Sequence, residues 1–206
     1  MNSPETTKSL KISGPAGESL FHKPFSWCIS GQEIERIQSK IDSQLDRIWE
    51  LKDDRLLVLV GALIIENAVD DLLSSWMPNY NTLTQNRDFS FSLRIEIARS
   101  MRLIPSRILG CADMVRKIRN EFVHSLDLDE FARLETPMRN SLRGSVKDFK
   151  LGSDNGITDA EIFQNVVTFT SIALYAYAEQ VRRMNEYVRS SAAQRHFQTY
   201  NGEARG

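Results

Sequence analysis

The 206-residue chain carries 26 Lys and Arg against 27 Asp and Glu, and 41% of it is hydrophobic. That composition suits one globular domain with core enough to need no disulfide or metal, and a net charge of −1 argues against a duplex-DNA binder, which carries a clear positive excess. The longest apolar run, Leu56–Ile65, is too short for a bilayer, which needs about 20 residues, so no membrane partner is expected.

Residues 1–29 are rich in Ser, Thr, Gly, Pro and Lys and read as a flexible arm. Within it Phe21, Phe25 and Trp27 form a small cluster able to dock on the body or on a partner. The first 20 residues lack the apolar stretch of a secretory leader. Cys28 and Cys111 show neither metal-ligand nor framework spacing and read as small apolar residues or thiols in a reducing cytoplasm.

A first helix is predicted from Ser30 or Gly31, with Ser30 and Glu33 as a capping box and Ile34, Ile37, Ile41, Leu45 and Ile48 as its apolar stripe. A second starts at Asp53 or Asp54, is apolar on most sides over Leu56–Ile65, and stops before Pro78. Residues 78–88 read as a polar loop. A third helix spans about Ser90 to Arg102, with Leu93, Ile97 and Met101 on one face. A fourth opens at Pro105 or Ser106 and carries Ile108, Ala112, Val115, Ile118 and Phe122 as its buried stripe. A weaker fifth covers 129–149, interrupted by Pro137 and Gly144. After the Gly152–Gly156 loop, Thr158 and Glu161 cap a last helix that runs toward Arg189. Residues 190–206 read as a frayed tail. No segment alternates with the period of a strand, so the fold class is all-α: a bundle of five or six helices, one domain over 30–189. Trp49, Trp76, Phe89, Phe91 and Phe122 are assigned to the core. Tyr175 and Tyr177 read as packing or a dimer seam.

Charge is unevenly placed. Eight acids stand against three bases from Asp42 to Asp71, and seven bases against two acids from Arg94 to Arg119. The basic stretch is either a solvated surface or a face for an anion such as RNA, with Arg94, Arg116 and Lys117 as its candidate contacts. Glu66 and Asp70 lie one helical turn apart, suited to supporting Arg94 or Arg119 across the bundle. A di-metal site is not expected, because no Glu-x-x-His repeat occurs.

The segment with chemical content is Arg119-Asn120-Glu121-Phe122-Val123-His124. An imidazole can take a proton from a 2′-hydroxyl or give one to a leaving oxygen. A guanidinium can hold a phosphate and its developing charge, and Asn120 can orient the ring or the substrate. No metal or other cofactor is required. The same residues could equally cap a helix end. On one ideal helix Arg119 and His124 point about 140° apart, so a working site calls for a helix end or a second chain.

Ile118-Arg-Asn-Glu-Phe-Val-His124 resembles the signature of the HEPN superfamily, the higher eukaryote and prokaryote nucleotide-binding helical domains. Arg119, Asn120 and His124 match that signature position by position. The resemblance implies a metal-independent ribonuclease, a toxin or defence effector, whose site forms between two subunits. Many toxin-type members carry Tyr two residues after the His; Leu126 stands there in this chain, so a role for that tyrosine is not implied.

The order of three blocks is similar to the mannitol operon repressor-like family. These are Asp54–Glu66 with Asp70 and Leu72-Leu73, Phe89–Ile95 with Ala98 and Leu103-Ile104, and Ile118–His124. That similarity implies a regulatory, non-enzymatic protein acting through protein partners, although no basic helix-turn-helix is visible. A third alternative is an antitoxin-like partner that binds a toxin through an acidic second helix. The ribonuclease and regulator readings both imply a homodimer.

Overall fold

The structure, a computed structural model, describes residues 31–102, 104–125, 127–149 and 156–203. The arm of residues 1–29, with Cys28 and the expected Ser30 cap, lies outside these. Seven α-helices and one 3₁₀ turn follow in chain order: α1 Gly31–Glu50, α2 Asp54–Trp76, α3 Tyr80–Leu83, α4 Phe91–Ser100, α5 Ser106–His124, the 3₁₀ turn Phe131–Arg133, α6 Thr136–Phe149 and α7 Asp159–Glu203. There is no strand among the described residues, and the fold is an all-α bundle.

Local chemistry sets the boundaries. Asp53 caps α2 by accepting from the Leu56 N–H at 2.7 Å, and Ser90 caps α4 by accepting from Leu93 N–H. The capping box of α7 is reciprocal: Thr158 Oγ1 accepts from Glu161 N–H at 3.2 Å, and the Glu161 carboxylate accepts from Thr158 N–H at 2.8 Å. The bond from Thr158 N–H, with a second from the Thr158 hydroxyl at 2.9 Å, holds the exposed Glu161 carboxyl below its usual range.

α2 and α7 form the central pair and run parallel. Gly61 meets Phe163 and Val167, Asp71 accepts from Arg182 at 2.6 Å, and the Ser75 carbonyl accepts from Asn185 at 2.9 Å. A Cβ on Gly61 would sit 2.7 Å from Phe163 Cε1 and 3.0 Å from Val167 Cγ2. Phe163 cannot swing away, because it is fully buried at the end of the ring stack Phe122–Phe131–Phe163, with centroids 5.4 and 5.3 Å apart. α1 covers this pair through Ile37, Ile41, Leu45 and Ile48, and Gln164 donates to the Ile48 carbonyl at 3.0 Å.

Several expectations are corrected. The segment read as a polar loop contains α3, whose Tyr80 is buried. The fifth helix starts at Thr136 rather than 129, with Pro137 in its first turn, where proline is tolerated, and Phe131 enters the core from the 3₁₀ turn. Trp49 and Trp76 are exposed rather than core. On α4 the buried residues are Phe91, Ile95 and Ala98, and Leu93 faces out. α7 is buried on several sides over Ile162–Ala178, and it runs on to Glu203, past its expected end near Arg189.

Gly61→Ala is expected to cost about 1–3 kcal/mol by overpacking, outweighing the gain of about 1 kcal/mol from helix propensity. Gly110→Ala on the exposed face of α5, where a Cβ meets nothing within 4 Å, is expected to gain about 0.5–1 kcal/mol. Urea titrations of the two variants read the opposite signs; a stable Gly61→Ala protein would mean that α2 and α7 are not in close contact.

Candidate functional site

Glu66 and Asp70 project from one face of α2, and Arg94 of α4 lies between them. Arg94 Nη1 is 2.9 Å from Glu66 Oε1 and 3.0 Å from Asp70 Oδ2. Its Nε donates to the Phe89 carbonyl at 3.2 Å, and the guanidinium sits 5.5 Å from the Phe89 ring centroid. Tyr80 packs edge-on against Phe89 at 5.6 Å and donates its hydroxyl hydrogen to Asp70. Burial, then the hydrogen bond to the Asp70 carboxylate, push the Tyr80 phenol well above its usual range. Glu66 and Asp70 therefore pair with Arg94 across the bundle. Arg94 itself is 15% exposed, with Nη1 and Nε engaged inside the bundle.

Arg119 approaches the same cluster from α5, with Nη2 4.0 Å from Glu66 Oε2. That contact is loose, and it leaves most of the guanidinium donors available. Asn120 is half-buried and His124 exposed. The side chains of Asn120 and His124 make no hydrogen bond or ion pair among the described residues. The end of α5 is closed instead by the backbone, Ser125 N–H donating to the Glu121 carbonyl at 2.9 Å. The motif thus does not form the side-chain capping network that its residue types also allowed.

The chain after the motif is held by two residues from the start of α2 whose role was not assigned from the sequence. Arg55 Nη2 donates to the carbonyls of Ser125 at 2.8 Å and Leu128 at 3.1 Å. Asp54 accepts from Phe131 N–H at 2.9 Å. Together with the Arg119–Glu66 contact these bonds make α5 antiparallel to α2, its last turns beside the first turns of α2. Tyr80 was likewise missed, because a short helix inside a polar segment leaves no periodic signal.

The other candidate contacts diverge. Arg116 and Lys117 both reach Asp113, at 2.7 and 2.9 Å. Burial works against the Asp113 charge, but the hydrogen bonds from Lys117 and Arg116 outweigh it and hold the carboxyl below its usual range. Lys117 stays mostly exposed and Arg116 does not.

Beside the motif lies an apolar surface. Leu56, Leu59 and Leu63 recur along α2 and are 46%, 41% and 56% exposed, and Val123 of α5 is 47% exposed. Leu59 and Leu63 share the α2 face that carries Glu66. Arg94 of α4 meets α2 at Glu66 and Asp70, and the three exposed leucines precede these residues on α2. Among the described residues no helix is long and apolar enough to cross a membrane, and no group of three His, Cys, Asp or Glu is placed to hold a metal. No family model matches the chain, and neither a curated protein nor a solved structure matches it.

Arg94→Met would strand two carboxylates. Breaking a buried pair costs about 3–5 kcal/mol; Glu66 and Asp70 are 24% and 31% exposed, which lowers the expected loss to roughly 2–3 kcal/mol. Asn120→Ala and His124→Ala should each stay within about 0.5 kcal/mol of the parent. Thermal melts of the three variants separate structural from non-structural residues, and a His124→Ala protein as damaged as Arg94→Met would make the motif structural.

Proposed function

We propose that the chain is a HEPN-type, metal-independent endoribonuclease that works as a homodimer, in the manner of a toxin or defence effector. The observation that carries this reading is the lack of structural employment for the motif. Asn120 and His124 hold nothing together, Arg119 is only loosely engaged, and the neighbouring Arg94 carries the ion pairs that hold the bundle. In this reading Arg119 binds the scissile phosphate and stabilises its growing negative charge. His124 takes the proton from the attacking 2′-hydroxyl or gives one to the leaving 5′-oxygen, and Asn120 orients it. Arg116 and Lys117 add nearby positive charge.

α5 is regular from Ser106 to His124, so Arg119 faces α2 while His124 points about 140° away. A second copy completes the site. Its natural seat is the uncovered face of Leu56, Leu59, Leu63 and Val123, which borders Arg119 and is too apolar to be an ordinary solvated helix face. The second reading, a non-enzymatic regulator resembling the mannitol operon repressor, is favoured by the same apolar face, used there for a protein partner. An antitoxin-like acidic docking helix gains no support, because Glu66, Asp70 and Asp71 are taken up by Arg94 and Arg182.

Labelled RNA incubated with purified protein in EDTA is expected to be cleaved, and His124→Ala is expected to lower the rate about 10²–10⁴-fold with folding intact. Equal cleavage by the variant, or none by the parent, leaves the regulator reading. The dimer is tested separately: light scattering should give twice the chain mass for the parent and a monomer for Leu59→Asp/Leu63→Asp, with cleavage lost in the variant. A monomeric parent overturns the two-chain site.

A further inference from the structure

Two residues of the α4–α5 hairpin give up stability that a single substitution would recover. Arg102 has φ of 53°, a left-handed conformation just past the α4 C-cap, where glycine is the favoured residue. Gly110 stands in mid-α5 with open space around an added Cβ, so no close packing requires it. Residues that break local rules without a packing gain concentrate at functional surfaces.

The helical repeat puts Gly110 in line with the motif. Stepping back from His124 by four, three, four and three residues reaches Asn120, Lys117, Asp113 and Gly110 on one face. The buried stripe of α5 occupies the opposite side. One further turn leads to Ser106 and the α4–α5 turn, with Arg102 at its head. From His124 to Ser106 the line measures about 27 Å at 1.5 Å per residue, enough for roughly four nucleotides, the short end of single-strand sites.

Lys117 and Arg102 are the basic residues of the line, with Asp113 on it and Glu121 at its edge as the acids. Arg94 is committed to Glu66 and Asp70, and Arg99 pairs with Glu96. Asp113 is neutralised by Arg116 and Lys117, and Lys117, the exposed partner of that cluster, can turn to a phosphate while Arg116 keeps Asp113 paired. Arg102 is exposed and has no carboxylate partner among the described residues.

We propose that the outward face of α5 is a track for single-stranded RNA. Lys117 and Arg102 contact phosphates away from the cleavage point, and Gly110 lets the strand lie against the helix backbone. This inference rests on the ribonuclease reading and extends it by placing the strand, over several nucleotides, on the outward face of α5 with Lys117, Gly110 and Arg102 as its contacts.

The experiment pairs melting temperature with fluorescence anisotropy on a long unstructured RNA oligonucleotide, and adds cleavage of a dinucleotide. Arg102→Gly and Gly110→Ala should both melt a few degrees higher. Arg102→Gly should bind the long RNA about three- to tenfold more weakly at low salt, with its salt slope reduced by about 0.7. Gly110→Ala should bind more weakly with an unchanged slope, and Arg102→Lys should bind like the parent. Dinucleotide cleavage should be unaltered in all three. If the parent binds the long RNA and both stabilised variants match its affinity and salt slope, the track is overturned while the ribonuclease reading survives. If the parent neither binds nor cleaves RNA, both fall.

Discussion

The guanidinium of Arg94 decides how the α4–α5 hairpin lies on α2. It is the cation between Glu66 and Asp70, and its Nε bond to the Phe89 carbonyl ties it to the chain entering α4. With Arg94 turned inward, Phe91 and Ala98 face the core, since they lie three and four residues from it on the same helix face, and Ile95, three residues before Ala98 and four after Phe91, is buried with them. Leu93 is then forced outward. α5 follows through a five-residue connection, so the orientation of α4 also fixes the level at which Arg119 meets Glu66. The position of the motif is in this sense a consequence of one partly buried ion cluster. Its satisfied geometry matters more than its net energy, because partly buried charges contribute little stability once their desolvation is counted.

Much of this was legible from periodicity and caps. The α5 stripe Ile108, Ala112, Val115, Ile118 and Phe122 is buried as its spacing requires, and Asp53, Ser90 and the Thr158–Glu161 box mark real helix starts. The misses have identifiable causes. On α4 an apolar count chose Leu93, Ile97 and Met101, whereas an arginine seeking carboxylates set the rotation. A hydrophobic scale cannot register that, because it places every arginine outside. Trp49 and Trp76 were assigned to the core by size alone, yet both sit at helix ends, where the neighbouring helices no longer cover them.

The site was legible as residue types and not as a surrounding. The pairing of Glu66 and Asp70 with Arg94 follows from complementary charge on facing helices. The grip of Asp54 and Arg55 on the chain after His124 does not, because it joins residues 70 to 77 positions apart and uses backbone carbonyls and an N–H, which leave no trace in the sequence. These bonds tether the motif's exit strand to the N-terminus of the central helix. Leu56–Leu63 and His124 are therefore carried on one rigid unit, although different helices supply them.

The contact of Gly61 with Phe163 has a consequence for how the chain acquires its fold. The two residues are separated by 163 − 61 = 102 positions, so the central helix pair is a non-local contact whose loop must close before any packing energy is returned. Synthesis delivers α2 well before α7. Until α7 arrives, Leu57, Ile64 and Ile65, all buried in the finished molecule, have no partner on that side. A chain cut short before α7 would keep most of its helix-forming sequence and lose the surface on which α2 comes to rest, leaving a sticky nascent helix in need of a holding chaperone.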